Sequence, residues 1–312
     1  MMNYNALSRK PTIFNSFTGL HVPEFDALYT KTQNSYAIYE EKRLHREDRK
    51  RSIGAGHPFK LNLRDRLLML LTYHRLYVTS TLLSFLFNLG QTNVLKNIRI
   101  LEPLVKMILP LPSKIHQRAR RLGTLDEVEA LFPGLKAFLD ATEQEIPRPK
   151  DKVKRRTHYS GKKKRHTVKT QITVNADGLI LHKTPHARGN KHDYSLYKWR
   201  HPHLPDMVCL GLDLGYDGIQ NDYPELNVHV PYKRRSPGRG KRGVKAEELT
   251  CEQKAFNRKL SGERVVVEHT ISRLKKFRIM AHEFRNRLRH YETMTDIVCG
   301  LVNLRVLGIA AL

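Results

Sequence analysis

The sequence predicts a helical amino-terminal region followed by an α+β or α/β domain built around one mixed sheet. Three observations lead to this prediction. Segments of helical length, with apolar residues three or four apart, fill residues 61–105. Two β-rich runs flank a turn at residues 175–178, and a buried strand and a second strand follow them. A long helical region then begins near residue 245.

The first 60 residues are predicted to form a helical arm. Residues 17–52 have helical composition and become increasingly charged toward "EEKRLHREDRKR". The following "SIGAGHP" contains glycine and proline, which interrupt a helix.

Residues 61–110 are predicted to form three helices separated by short turns. Thr79 or Ser80 can cap the second helix, and Asn88 or Gly90 can take the left-handed conformation of the tight turn after it. The residues expected to be buried have helical spacing: Leu67, Leu68, Leu71, Leu82, Leu83, Leu86, Val94, Ile98 and Leu101.

This order of helices is that of a helix-turn-helix, whose last helix lies in the major groove of DNA. Four polar residues of the third helix would then face DNA: Gln91, Thr92, Asn93 and Lys96. An ordinary three-helix bundle is the alternative. Residues 111–134 are predicted to be a connector, and residues 135–312 the sheet domain.

The composition points to a polyanionic partner. Fifty-six Lys and Arg outnumber 30 Asp and Glu, which gives a net charge of +26. Nucleic acid is the simplest partner, although a ribosomal protein or an anionic membrane surface would also suit the charge. No apolar run reaches the roughly 18 residues of a membrane span, and no signal-peptide layout opens the sequence. Three cysteines without a CxxC pair indicate a reduced compartment, so we expect a cytoplasmic, nucleoid-associated protein.

Basic stretches at residues 148–166, 232–245 and 273–278 punctuate the sheet domain. The first two contain Gly, Pro or Ser and are predicted to be loops that bind the DNA backbone. Solvated surface is the alternative for any such run. The candidate DNA contacts in these loops are Lys162, Lys163, Lys164, Arg165, Arg234, Arg235, Arg239 and Lys241.

Three acids are conspicuous in this basic chain. Asp140 and Asp213 each follow an apolar strand and would lie at the rim of the sheet. Glu268 borders the apolar stripe of a helix and falls within roughly 40° of Arg264 and Lys275 on a helical wheel. An exposed ion pair would contribute at most about 1 kcal/mol, which does not explain an acid beside a packed stripe.

Three carboxylates on two strands and a helix suit phosphoryl transfer with two divalent metal ions, Mg²⁺ or Mn²⁺. One ion activates the attacking water or 3′-hydroxyl, and the other stabilises the leaving oxygen. Capping of a loop is the alternative role for Asp140 or Asp213 taken alone.

The sequence resembles the DDE transposases of bacterial insertion sequences, in the insertion-sequence-five group related to Harbinger-type transposases. The motifs that carry the resemblance are "LDATEQEIPRP", "YSGKKKRHTVKTQ", "GNKHDYSLY", "LGLDLGYDGI" and "RVVVEHTISRLKKFRI", and it extends over about residues 15–310. "FNLGQTNV" also resembles the helix-turn-helix pattern of that family, with Asn88 where glycine is usual.

The resemblance implies an α+β chain with a helix-turn-helix domain before an RNase H-like catalytic domain. It maps a catalytic and metal-binding triad onto Asp140, Asp213 and Glu268. The family's tyrosine–arginine–glutamate–lysine signature maps onto Arg264, Glu268 and Lys275, but Ser261 occupies the tyrosine position.

The implied function is cleavage at terminal inverted repeats of double-stranded DNA and joining of the 3′ ends to target DNA, by a homodimer on paired ends. A related nuclease or a domesticated DNA-binding protein without strand transfer is the alternative.

Overall fold

The computed structural model describes residues 1–234 and 248–312, and its contacts divide the chain into two compact units. The first unit contains residues 1–112 and 273–312, and the second contains residues 113–272. Within the described ranges, every helix is too short or too polar to span a bilayer.

The first unit is helical and is built around one central helix. Its amino-terminal helices are α1 (Tyr4–Ser8), α2 (Pro11–Thr18), α3 (Val22–Leu44), α4 (Leu63–Leu76), α5 (Ser80–Phe87) and α6 (Gln91–Ile108). All residues from Leu67 to Leu71 of α4 are buried, so this helix packs on every side and not on the single face expected. Tyr4, Phe14 and Phe25 form an aromatic cluster with ring centroids 5.2–6.0 Å apart.

Helices α4, α5 and α6 form the predicted helix-turn-helix segment. The Thr79 side chain accepts a hydrogen bond from the backbone N–H of Leu82 and so caps α5. Asn88 provides the left-handed turn, with φ 49° and ψ 52°. The buried side of α5 differs from the prediction. Leu83 and Phe87 are buried, whereas Leu82 is 42% exposed because it lies on the opposite side of this short helix.

The last helices, α13 (Arg278–Ala281) and α14 (Tyr291–Leu307), belong to the first unit. Gly300 allows α14 to approach closely, since an added Cβ would lie 2.8 Å from the Leu109 side chain. The buried Asn303 amide donates a hydrogen bond to the carbonyl oxygen of Pro110. Residues 273–312 therefore cluster with residues 1–112, whereas the predicted boundaries assigned them to the sheet domain.

The second unit contains a seven-stranded mixed sheet. Its strands are β1 (Lys136–Glu145), β2 (Tyr159–Ser160), β3 (Arg165–Asn175), β4 (Ile180–Lys183), β5 (Ala187–Arg188), β6 (Cys209–Gly211) and β7 (Val228–His229). The order is β2-β3-β1-β6-β7, and β4 and β5 also pair with β3. The β1–β3 pair is antiparallel, whereas β1, β6 and β7 are parallel. This mixed sheet, with the helical amino-terminal region, gives the predicted α+β class.

The helices of the second unit connect or cover the strands. They are α7 (Pro112–Ala119), α8 (Leu125–Leu131), α9 (Lys152–His158), α10 (Asp193–Trp199), α11 (Ile219–Asp222) and the long α12 (Cys251–Lys275). α7 and α8 occupy the predicted connector. The hairpin expected at residues 175–178 joins β3 to β4, and Gly178 takes a positive φ of 80° in its turn.

Helix α12 packs against the second unit through one face, on which the contacting residues are seven and three positions apart. Leu260 lies against Gly211, where an added Cβ would be 3.3 Å from its side chain. Val267 is fully buried, and the Thr270 hydroxyl donates to the carbonyl oxygen of Gly178 at 3.3 Å. This spacing places the three residues on one side of α12.

Candidate active site

Asp140 and Asp213 lie next to each other at one edge of the sheet. The parallel register of β1 and β6 pairs Lys136 with Cys209 and Phe138 with Gly211. Carried two residues further, the same register places Asp140 opposite Asp213. The carboxyl ends of neighbouring parallel strands are a common position for ligand-binding groups.

The sequence pattern predicted that each aspartate directly follows a strand. Neither does. Asp140 lies inside β1, which continues to Glu145 because residues 137–145 all pair with β3. Asp213 lies two residues after β6 ends at Gly211. The shorter β6 leaves β1 unpaired on one side from Leu139 onward, and this gap in the sheet exposes part of Asp140.

Backbone N–H groups orient both carboxylates. Asp140 Oδ1 accepts from its neighbour Ala141 at 2.7 Å. Asp213 Oδ1 accepts from Gly215 at 2.8 Å and caps the 3₁₀ turn at residues 214–216. An added Cβ at position 215 would lie 2.9 Å from Asp213 Oδ1, so a larger residue there would shift this carboxylate. Asp213 therefore does cap a loop, and its second carboxylate oxygen accepts no hydrogen bond within the described residues.

The electrostatic surroundings of Asp140 disfavour its ionised form. Burial is the main cause that raises the pKa of this carboxyl above its ordinary value, and the charges of Asp213 and Asp193 raise it further. The Ala141 N–H and the charge of Arg264 act in the opposite direction. Carboxylates thus crowd together at a partly buried position, with one guanidinium nearby.

A buried tyrosine lies beneath these carboxylates. Tyr216 is fully buried, and its hydroxyl accepts a hydrogen bond of 2.6 Å from the Gln171 side-chain amide. Burial raises the pKa of Tyr216 well above its ordinary range, and the charges of Asp193, Asp213 and Asp140 add to this rise. Tyr216 was not predicted as a site residue, although it stands three residues after Asp213 in the same motif.

A lysine on β3 also went unrecognised. Lys169 is only 8% exposed, and its ammonium lies 2.8 Å from Asp193 Oδ1 and 3.5 Å from Glu143 Oε1. It also donates to the Lys191 carbonyl oxygen at 2.9 Å. His192 occupies the cap position of α10, and Asp193 is the first helical residue. The ion pair with Lys169 explains why an acid stands there.

Glu268 lies on α12, one turn after Arg264. Its side chain is exposed, whereas Arg264 is half-buried and exerts its charge on Asp140. Residues four apart lie on the same side of a helix, so Glu268 shares the flank of α12 from which Arg264 acts. Arg264 Nε is buried and lacks a hydrogen-bond partner in the part of the chain that the structure describes.

The donor groups suit a magnesium ion only in part. Among the described residues, no group of three or more His, Cys, Asp and Glu side chains is arranged to hold a metal. Asp140 and Asp213 alone nevertheless fit Mg²⁺, which is usually bound by one or two carboxylates, with water and substrate phosphate as its other ligands. A cation at this position would also offset the charge repulsion that raises the pKa of Asp140.

Most of the predicted DNA-contacting residues are at the surface. Gln91, Thr92, Asn93 and Lys96 lie in the first two turns of α6 and are exposed. Lys162, Lys163 and Lys164 form an exposed turn between β2 and β3. Arg165 begins β3 and donates to Glu145, and exposed Arg234 lies 3.9 Å from Glu248. Arg235, Arg239 and Lys241 lie outside the described residues.

The remaining positions of the α12 signature differ from one another. Ser261 is exposed. Lys275 is also exposed; it is the last residue of α12 and belongs to the first unit. Glu263, which precedes Arg264, accepts a hydrogen bond of 2.8 Å from the Lys136 ammonium of β1 and is therefore ion-paired. This pair explains why an acid at position 263 stands beside the sheet.

The catalytic candidates all lie within one family match. The family model described as "DDE superfamily endonuclease" matches residues 139–303, more than half of the chain. The chain belongs to this family. A second model, "Helix-turn-helix of DDE superfamily endonuclease", matches residues 59–110 of this DDE endonuclease, which contain α4, α5 and α6.

One curated relative of this DDE endonuclease is the "Probable transposase for insertion sequence element IS702" of Microchaete diplosiphon. The two are 29% identical over 258 residues, which cover 82% of this chain and 85% of the relative. No solved structure gives a significant match.

Proposed function

We propose that the protein is a transposase that cleaves phosphodiester bonds at the ends of its own element and joins the 3′ ends to target DNA. The observation that carries the proposal is the proximity of Asp140, inside β1, to Asp213, just after the parallel strand β6, within the residues that match the endonuclease family. The relative named as a probable transposase supports the same activity.

Asp140, Asp213 and Glu268 would be the catalytic residues. The two aspartates would hold divalent ions, Mg²⁺ or Mn²⁺, together with the DNA phosphate, and Glu268 would complete the set when DNA and metal are bound. Bound metal would supply an activated water or 3′-hydroxyl and stabilise the leaving oxygen. The Ala141 and Gly215 N–H groups keep the aspartates oriented for this role.

Arg264 is proposed to contact the DNA phosphate beside the scissile bond. Its buried Nε without a described partner offers a hydrogen-bond donor, and a guanidinium can bind two phosphate oxygens at once. Its position near Asp140 places that donor where negative charge accumulates during phosphoryl transfer. Lys275 is proposed to bind phosphate farther along the same helix.

The helix-turn-helix segment would recognise double-stranded DNA, and the basic loops would bind its phosphate backbone. Gln91, Thr92, Asn93 and Lys96 are proposed to read the major groove of the terminal repeats, since they are exposed at the start of α6. The lysines of the β2–β3 turn and Arg165, with Arg234, Arg235, Arg239 and Lys241, are proposed to neutralise phosphates. A homodimer on paired ends in the bacterial cytoplasm would complete the assembly.

The proposal is tested by incubating the full chain with Mg²⁺, a labelled duplex carrying the ends of its element, and a target plasmid. With the label at the 5′ end of the strand to be transferred, labelled plasmid joined through the 3′ end of that strand is expected. Cleavage without joined products would replace the transposase with a related nuclease. Binding of the duplex with neither product would leave a DNA-binding protein that has lost the enzymatic activity.

A further inference from the structure

The chain's single tryptophan, Trp199, lies beside an open basic cavity in the second unit. The cavity has a volume of about 530 Å³. Trp199 is the last residue of α10 and is 45% exposed. The polar residues that line the cavity with it are His158, His186, Arg188, Asn190 and Lys191.

The cavity has the charge that a phosphate backbone requires. None of its lining residues is acidic, and all of them lie in the described part of the chain. Burial lowers the pKa of the His158 imidazole, and the charges of Arg188 and His186 lower it further. Positive charge therefore concentrates on this surface, which favours an anionic ligand.

The indole itself offers a stacking surface. The Lys191 ammonium lies 4.5 Å from the centroid of the Trp199 ring, and the Arg200 guanidinium lies 6.0 Å from it. Nearly half of the side chain still faces solvent, so one part of the ring is accessible to a ligand. Aromatic rings flanked by cations are typical of surfaces that bind unpaired bases.

Helix α10 extends from the surroundings of the candidate active site to this cavity. Asp193, whose charge acts on Asp140, begins this helix, and Trp199 ends it. Six residues of α-helix span about 9 Å, roughly three base steps of a DNA strand. Lys169 links the same two places, since its ammonium contacts Asp193 and the Lys191 carbonyl oxygen.

We infer that Trp199 stacks on an unpaired base of a DNA strand that passes from the candidate active site over the Lys191 and Arg188 side of the second unit. The inference rests on the proposed function in that DNA is the ligand of this unit. Stacking on a base and binding of phosphate by Lys191 and Arg188 would together hold a strand that has separated from its complement.

Intrinsic fluorescence tests this directly, because all indole emission comes from Trp199. The full chain, without divalent ions, is titrated with a 20-nucleotide thymidine strand and with an abasic strand of the same length. Strong quenching by the thymidine strand and little by the abasic strand is expected. Equal quenching by the two strands at saturation, or none by either, would overturn the inference.

Variants provide an independent readout, with affinity followed by anisotropy of the labelled strands. Trp199→Ala is expected to weaken binding of the thymidine strand by roughly 5- to 100-fold and to leave the abasic strand unchanged. Trp199→Phe should restore most of the loss, and Met207→Ala, an equally exposed apolar residue of the same unit, should have no effect. Unchanged affinity of Trp199→Ala would contradict stacking.

These measurements need no cleavage, so they separate the two proposals. Base-dependent quenching in a chain that neither cuts nor joins DNA would keep this inference and refute the transposase. Joined products from a chain whose tryptophan is not quenched would do the reverse.

Discussion

Asp213 lies close enough to Asp140 for its charge to raise the pKa of that carboxyl, just beyond the point where β6 ends and β1 continues. Because β6 ends early, one side of β1 is unpaired next to the two carboxylates. A β6 as long as β1 would pair with the β1 backbone beside Asp140 and fill this space. The short strand is therefore as much a part of the candidate site as the two acids.

Replacement of Asp140 by asparagine should stabilise the metal-free protein at neutral pH. Folding raises the pKa of this carboxyl, so its contribution to stability is complete below the unfolded pKa and is lost as pH rises through the folded value. Asparagine cannot ionise and avoids that loss. We expect a thermal midpoint about 2–5 °C higher at pH 7.5.

The same comparison at low pH supplies its control. Below the unfolded pKa both proteins carry an uncharged group, and their midpoints should converge. Mg²⁺ at neutral pH should raise the midpoint of the wild type but not that of Asp140→Asn, since ligand binding to the folded state stabilises it. A variant less stable than the wild type at pH 7.5 would contradict this account of the site.

Removal of the Tyr216 hydroxyl should cost stability. In Tyr216→Phe the buried Gln171 amide loses the hydrogen bond of 2.6 Å, at a cost of about 1–2 kcal/mol in the free energy of unfolding. Tyr223→Phe is the matched control, because Tyr223 is half-exposed and should change stability by less than about 0.5 kcal/mol. Urea unfolding measures both, and equal effects of the two variants would refute the role given to Gln171.

The turn of the helix-turn-helix should tolerate glycine and resist branched residues at position 88. Asn88 has a φ of 49°, which costs an ordinary residue about 1–2 kcal/mol. Asn88→Gly should be neutral or slightly stabilising, and Asn88→Val should lower stability by about that amount. Asn93→Val on exposed α6 should cost less than about 0.7 kcal/mol. Similar losses for both valine variants in thermal unfolding would show that backbone strain is not the cause.

A buried pair in the first unit should make stability depend on pH. His74 Nε2 lies 3.6 Å from Glu102 Oε1. Burial lowers the pKa of His74 to about 4 and raises the pKa of Glu102 to about 7. The stability contributed by Glu102 is therefore complete below pH 4.5, its ordinary pKa, and is lost as pH rises to about 7.

Glu102→Gln should remove this pH dependence. Its free energy of unfolding should match that of the wild type near pH 4.5 and exceed it by up to about 3 kcal/mol above pH 7. The loss from His74, which occurs as pH falls from 6.5 toward 4, is present in both proteins and cancels in the comparison. A constant difference between pH 4.5 and 8 would contradict the assignment to Glu102.

Local sequence signals predicted much of this architecture. Thr79 and Asn88 predicted the start and end of α5, because helix caps and left-handed turns depend on nearby residues. The β3–β4 hairpin followed from its turn residues in the same way. The side of α5 that is buried depends on neighbouring helices, and for that reason Leu82 was assigned wrongly.

The candidate site was predictable only where its residues stand in conspicuous motifs. Asp140 and Asp213 were found because acids are rare after apolar runs in this basic chain. Lys169 and Tyr216 were missed since each looks like an ordinary strand or turn residue until the fold places it beside the acids. The length of β6 could not be predicted because it is set by pairing with β1 and β7.

The central claim is that Asp140, Asp213 and Glu268 act together in metal-dependent cleavage. It is tested most directly by the single-turnover rate of cleavage of an element-end duplex as Mg²⁺ is increased, in Asp140→Asn, Asp213→Asn, Glu268→Gln and the exposed turn variant Asp217→Asn. The first three should each lose roughly a thousand-fold or more in rate while binding the duplex normally, and Asp217→Asn should cleave like the wild type. Wild-type cleavage by any of the first three would contradict the assignment at that position.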